Sequence, residues 1–391
     1  MRPRGSSSRD TGSQRALRSR NERSVLETLM RSGPQTQAQL SKSTGLSPAT
    51  VSNIVRELVS QNRVERRSVT SSGRRASQVR AVADGRVAVG VAIGRRHLRV
   101  MLMGIDHREE AFREENLPAQ HGAATTITRA SELVHQILAE HDLGPEEVIG
   151  TGVALPAPID PTTNDVVEPR ILPEWSGLDL IDLMTGTMPA PVIIDNDANL
   201  GALAHLHYAD ASERGSLIYL KLSDGIGAGL IIDGQIIRGF RGGAGEIGHV
   251  SLDPWGAYCP CGNRGCLETF SSIPAIRQAV GRTLGMTEDP ELEEIHRRRS
   301  DPALARILDD AGRSVGRAVA MLATVFNPER IVVGGPLAEL GDVIINPITQ
   351  EAKRHWLPGL TAGVSIEVCT LGSRVDAAGA CALVLRAAGE L

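Results

Sequence analysis

A chain of 391 residues with 41% hydrophobic and 23% charged side chains is long enough for two or three domains, each with a core of its own. No apolar run approaches the ~20 residues that cross a bilayer, and the basic N-terminus has no signal-peptide core, so a cytoplasmic protein with no membrane partner is expected. The net charge of −4 divides unevenly: residues 1–82 carry sixteen Lys/Arg against five Asp/Glu, a balance of +11, and the remainder carries 26 against 41, a balance of −15.

Residues 1–14 are rich in Ser, Gly and Arg with few apolar side chains and read as a disordered basic arm. Residues 15–82 read as a winged helix-turn-helix domain. Val25, Leu26, Leu29 and Met30 recur at helical spacing until Gly33-Pro34 stops the helix. Thr36 can cap a second helix that buries Leu40, and Thr44-Gly45-Leu46 makes a tight turn. Ser47-Pro48 opens a third helix as N-cap and first residue, where the missing amide hydrogen of proline costs nothing.

That helix, Pro48 to about Ser60, buries Val51, Ile54, Val55 and Leu58. Ser47, Ala49, Thr50, Ser52, Asn53 and Arg56 are left facing outward, which fits a recognition helix entering a major groove. Val64–Ser68 and Gln78–Val82 alternate like two short strands, and the loop TSSGRRA sets Arg74 and Arg75 at a glycine-permitted tip. A wing of that shape reaches a phosphate or a minor groove. The competing reading is a small helical domain with a solvated positive surface. Charge balance, turn spacing and basic wing agree instead on DNA, and the lack of aromatics in this segment favours the duplex over single strands.

From Arg86 onward the period changes. The runs VAVGVAIG, LRVMLMGI, VIGTGVAL, PVIIDND, SLIYLKLS, GLIIDGQII and RIVVGG alternate with helical stretches and indicate an α/β core over residues 83–391. Neither a dinucleotide fingerprint, a Walker A loop nor a nucleophile-elbow serine is present. The sharpest signal is GHVSLDPWGAYCPCGNRGCLE, in which His249, Cys259, Cys261 and Cys266 supply a Cys₃His set suited to closed, structural zinc. Cys-x-Cys is too short for an easy disulfide, and bridges are not expected without secretion. Cys369 and Cys381 stand alone and read as small core residues.

DNDAN at 195–199 places carboxylates and amides where a strand gives way to a helix. A glycine hairpin at 242–249 carries Glu246 to the edge of the cysteine loop, and Glu268 follows its last cysteine by two residues. Asp, Asn, Glu and His around one cleft are the acceptor-rich groups expected around a sugar.

With these motifs in place the chain resembles the ROK family (repressor, open reading frame, kinase), and within it the winged-helix, xylose-repressor-like branch, from about Arg15 to the C-terminus. AGEIGHVSLDPWGAYCPCGNRGCLE carries the likeness most specifically; DNDAN, FNPERIVVGGPL and the terminal DAAGACAL add to it. The resemblance implies an actin-like, ribonuclease-H-like fold of two lobes with sugar held in the cleft. The small lobe would span about 83–195 plus a C-terminal helix at 374–391, and the large lobe about 196–373. It implies that Asn196, Asp197, Glu246, His249 and Glu268 bind the sugar, and that position 197 is the general base in the kinases of the family.

The chain departs from those kinases at their phosphate loops. Ala92-Ile93-Gly94-Arg95-Arg96 stands where kinases have Asp-x-Gly-Gly-Thr, Asp224 stands where they have a hydroxyl residue, and Pro336 replaces a third glycine. Phosphoryl transfer depends on positioning and charge neutralisation, so neither ATP binding nor catalysis is expected. On the sugar side, Ala157 and Arg170 replace a glycine and an asparagine common among relatives, leaving Arg170 either to meet a charged effector or to be a surface charge. The expectation is a sugar-responsive regulator of transcription, most simply a repressor. It would bind pseudo-palindromic operator DNA as a homodimer or tetramer. The rivals are a DNA-binding sugar kinase and a constitutive DNA-binding protein.

Overall fold

The structure is a computed structural model that describes residues 18, 21–22, 24–26, 28–29 and 33–390, the last range without 62, 72–73, 83–84, 119–120, 190 and 209–214, and with backbone alone at 68–71 and 74–76. The basic arm expected at 1–14 and Met30 lie outside the described residues. The chain forms two compact units: Met1–Ala88 with Met103–Glu110 and Leu385–Leu391, and Val89–Leu102 with Ala111–Val384.

In the first unit, α1 (the helical residues between 18 and 29) is followed by β1 (Gln35–Thr36), α2 (Gln37–Thr44), α3 (Pro48–Ser60), β2 (Val64–Ser71) and β3 (Arg74–Ala81). Thr36 caps α2 in a reciprocal box with Gln39, and Gly45 ends it at φ 69°. Ser47 caps α3 by accepting from the Thr50 amide at 3.2 Å. Val25, Leu26, Leu29, Leu40, Val51, Ile54, Val55, Leu58, Val64 and Val79 form one core, so both expected inward faces are the buried ones. The strands run longer than their alternation suggested. In the register Ser71↔Arg74 and Thr70↔Arg75, the two arginines are the first residues of β3, where a loop was expected, and residues 72–73 lie outside the described set. Backbone pairing, indifferent to side-chain polarity, carries the ladder through Val69-Thr70-Ser71.

Two five-stranded sheets follow. One has the order β6-β5-β4-β7-β8, from β4 (Val87–Ile93), β5 (His97–Gly104), β6 (Glu109–Asn116), β7 (Val148–Leu155) and β8 (Val192–Asn196). Between these come α4 (Ala123–Glu140) and α5 (Leu180–Thr185), and α6 (Asp197–Tyr208) continues directly from β8. The other has the order β11-β10-β9-β12-β13, from β9 (Leu217–Leu222), β10 (Ile226–Ile232), β11 (Gln235–Ile236), β12 (Arg330–Gly334) and β13 (Ser365–Val368). Its helices are α7 (Glu268–Ser271), α8 (Ile273–Leu284), α9 (Leu292–Arg297), α10 (Pro302–Phe326), α11 (Asp342–His355) and α12 (Pro358–Thr361), and α13 (Val375–Ala387) closes the chain.

Asp233-Gly234, with φ 50° and 71°, breaks the run GLIIDGQII into β10 and β11. β6, reading EEAFREEN, hides from a hydrophobic pattern because it is a sheet edge with charged side chains on show. The helix DAAGACAL is built from small residues because it is squeezed. A Cβ at Gly152 of β7 would fall 2.2 Å from the Ala380 carbonyl oxygen, and one at Gly379 would fall 1.9 Å from that of Leu200. Cys381 is fully buried there, as expected, but Cys369 is partly exposed and its Sγ lies 3.2 Å from His205 Nε2. Cys369 is therefore not a core residue.

Candidate functional site

A cleft open to solvent forms where several connections of the second unit meet. The β4–β5 turn brings Gly94 and Arg95, the loop after β7 brings Pro156–Pro158, and the β8–α6 junction brings Asn196 and Asp197. The β9–β10 turn adds Ser223, Asp224 and Gly225, while Glu246, His249 and Glu268 complete the wall. All five residues expected to bind sugar are thus in one place.

Their environments differ. Asn196 Oδ1 caps α6, accepting from the amides of Ala198 at 2.9 Å and Asn199 at 3.2 Å, and its Nδ2 donates to the Ala157 carbonyl at 3.1 Å. Its acceptor is therefore largely spent on the fold. The Asp195 carboxylate, 3% exposed, is also structural: Arg238 Nη2 at 2.6 Å and Asn199 Nδ2 at 3.0 Å hold it. Of DNDAN, Asn196 and Asp197 line the cleft, and Asp197 brings a carboxyl to it. Burial raises its carboxyl above the ordinary range, Lys221 opposes that rise, and Asp376 adds to it.

Glu268 Oε1 accepts from the Ile226 amide at 2.8 Å, which fixes its other oxygen 4.0 Å from His249 Nδ1. Burial, then the negative charges of Asp197 and Glu268, push Glu246 up to about 7. Glu246 is placed by the turn before it. Gly245 adopts φ 92°, and a Cβ there would lie 1.8 Å from the Ala228 carbonyl oxygen.

His249 joins this cleft to the cysteines. Its Nδ1 lies 3.5 Å from Cys259 Sγ, and its Nε2 lies 3.8 Å from Glu246 Oε2. Cys261 and Cys266 have their sulfurs 3.7 Å apart, and all four ligand atoms lie within 4.8 Å of one another. A tetrahedral ion with bonds of about 2.3 Å to sulfur and 2.0 Å to nitrogen sets neighbouring ligands roughly 3.5–3.8 Å apart. The cluster can therefore hold a metal with little movement. Burial and the adjoining sulfurs push Cys266 up to about 12, so a bound cation is what would keep such thiols ionised.

The β4–β5 and β9–β10 turns present other groups to the cleft. The His97 ring lies against Gly94, where a Cβ would come within 2.2 Å of it, and Arg95 Nη2 donates to the Ile171 carbonyl at 3.1 Å. Asp224 lines the cleft. Arg170 does not line it; its guanidinium pairs with both oxygens of Glu168 at 2.8 and 3.1 Å.

In the first unit, Ser47, Ala49, Asn53 and Arg56 are exposed, and Thr50 and Ser52 are half-buried, on the side of α3 opposite its buried leucine and valines. Of Arg74 and Arg75 only the backbone positions on β3 are described.

Motif reading missed Lys221 and Asp376. Lys221 Nζ, in the cleft wall, is 2.7 Å from Asp197 Oδ2 and 2.6 Å from Asp376 Oδ2. Burial works against its charge, but the two carboxylates hold it above its ordinary value. A signal existed: β9 reads LIYLKL, every position is buried, and one of them is a lysine.

Comparison with known proteins adds the following. Residues 88–387 match the ROK family and residues 19–75 match the MarR family. The chain is 25% identical over 378 residues to the xylose repressor of Bacillus spizizenii, covering 96% of this chain and 97% of that protein. It is 31% identical over 271 residues to a glucokinase of Halalkalibacterium halodurans, covering 65% of this chain and 81% of that enzyme. Among solved structures, a ROK family transcriptional regulator described as a homolog of the E. coli MLC protein superposes with a TM-score of 0.76 at 24% identity, covering 96% and 97% of the two chains.

Proposed function

Since the chain belongs to the ROK family and carries a MarR-type winged helix ahead of its actin-like fold, we propose that it is a sugar-responsive transcriptional regulator acting as a repressor. The observation that carries this reading is the pairing, in one chain, of a helix with an exposed Asn-Arg face and a cleft in which Asp197, Glu246, His249 and Glu268 converge. Residues 15–82 grip operator DNA through Ser47, Ala49, Thr50, Ser52, Asn53 and Arg56, with Arg74 and Arg75 on the wing. Residues 83–391 hold the sugar. The protein works in the cytoplasm as a homodimer on a two-fold operator.

His249, Cys259, Cys261 and Cys266 would hold zinc as a structural ion, since four protein ligands leave no open position, and His249 bound through Nδ1 would keep its Nε2 on the Glu246 side of the cleft. Ligand binding can release DNA only through unequal affinity for two states, and about 1.4 kcal/mol of coupling gives a tenfold change.

The likeness to a glucokinase keeps a second reading in view, that of a sugar kinase with an added DNA-binding domain. Several residues speak against it: Ala92 lacks the acidic group that would place metal and nucleotide, Arg95 puts bulk where a glycine would let phosphate approach, Asp224 repels phosphate, and Pro336 lacks a backbone donor.

An operator mobility shift titrated with a panel of sugars, zinc retained, tests the reading. At least one sugar should change operator affinity, and a flat response across the panel would leave a constitutive DNA binder. Incubation with ATP and the same panel should yield no sugar phosphate.

A further inference from the structure

Lys221 is an unusual residue for this chain to choose. Of its 42 basic side chains only three are lysines, Lys42, Lys221 and Lys353, and Lys221 alone sits in a fully buried strand. An ammonium is a compact point charge with three hydrogens, whereas a guanidinium is a broad planar fork. Two of the three hydrogens are taken by Asp197 and Asp376, and the third has no partner among the described residues.

The surroundings are short of donors and rich in acceptors. Asp376 is 2% exposed, and its Oδ1 is buried without a donor among the described residues. Arg99, the other nearby cation, reaches Asp376 only at 3.9 Å and is engaged at 2.8 Å by Glu114. Lining the cleft are the carboxyls of Asp197, Asp224, Glu246 and Glu268 against the cations Arg95 and Lys221. Lys221 is already balanced by two carboxylates, and Arg95 gives one Nη2 hydrogen to the Ile171 carbonyl.

We propose that Lys221 is an effector-recognition residue that selects a neutral polyol: its remaining ammonium hydrogen goes to one sugar hydroxyl while a neighbouring hydroxyl donates to Asp197. Acceptor and donor sit side by side, 2.7 Å apart, which matches vicinal hydroxyls, each of which can donate and accept. A phosphorylated or carboxylated sugar meets four carboxyls in the wall against the single guanidinium of Arg95. This inference deepens the proposed function and rests on it, since it takes the cleft to be the effector site.

The test is calorimetry on the full-length, zinc-loaded protein with neutral aldopentoses and aldohexoses, their terminal phosphates, and the mono-deoxy series of whichever neutral sugar binds. The protein variants are Lys221→Met and, because that change strands two buried carboxylates, the charge-balanced double variant Lys221→Met with Asp376→Asn. A neutral sugar should bind at least about tenfold more tightly than its phosphate, and the double variant should lose about tenfold or more while keeping its cooperative melt. Deleting one hydroxyl should cost affinity in the native protein and nothing in the double variant. A merely structural lysine would weaken every analogue in proportion and leave that difference unchanged.

Tighter binding of the phosphate than of its parent sugar overturns the inference and leaves the sugar-sensor reading intact. So does an undiminished affinity in the double variant, or an equal deoxy penalty in both proteins. Failure of every sugar to bind the native protein sinks the sensor reading itself, and this inference with it.

Discussion

The carboxyl of Asp197 sits in a place that resists charge. Burial pushes it up, and the ammonium of Lys221 at 2.7 Å opposes that rise by favouring the charged form. Asp197→Asn retains the shape and removes that charge, so sugar affinity should fall by about tenfold or more while effector-free operator affinity is unchanged, as calorimetry and mobility shift would show. Equal affinity in the variant would place the ligand elsewhere.

His249 meets the same cleft from the other side, its Nδ1 toward sulfur and its Nε2 toward Glu246. Stripping the metal with a strong chelator, or making Cys261→Ser, should lower the melting temperature and abolish the sugar response together, because one imidazole serves both. A metal-free protein that still senses sugar would separate the two.

At the scale of elements, α3 and α13 solve opposite problems. α3 must bury one face and display the other. Leu58→Ala should cost about 2–5 kcal/mol of unfolding free energy by denaturant titration. Asn53→Ala should leave stability alone and level the affinities for operator and scrambled duplex. Equal discrimination by native and variant protein would remove Asn53 from the reading face.

α13 must fit where there is almost no room. Gly152→Ala would drive a methyl into the Ala380 carbonyl, a clash with backbone that cannot rotate away. The expected loss is about 1–3 kcal/mol or more, read as a drop in the melting temperature.

Across the whole molecule, two partly buried histidines tie stability to pH. Burial chiefly, then Arg99 and Lys221, lowers His97 to about 3, and burial lowers His205 to about 4. Unfolded, each titrates near 6.5. Between the folded and unfolded values the unfolded chain holds a proton that the folded chain lacks. Stability from each is therefore complete above about 6.5 and drains away as pH falls, toward about 3 for His97 and about 4 for His205. Each contributes a slope of about 1.4 kcal/mol per pH unit in that window. His97→Gln should flatten the measured slope by about that amount, and an unaltered slope would show that His97 is not held neutral. The uneven charge along the chain has its own expression: operator affinity should fall steeply with salt, as a +11 segment binding phosphates requires.

The amino-acid sequence by itself determined the helix-turn-helix, the Cys₃His set and the acceptors of the cleft. The reason is that caps, ligand spacing and apolar period are local properties that chemistry writes in adjacent residues. The division of labour among those residues was decided only in three dimensions. Asn196 spends its amide oxygen as a helix cap, Asp195 is locked by Arg238, and Arg170 pairs with Glu168. Lys221, 24 positions from one carboxylate and 155 from the other, becomes part of the site only because β9 passes beneath α6 and the start of α13. No local pattern records an ion pair of that span. It exists because burying an ammonium is tolerable only where the fold brings opposite charge to it.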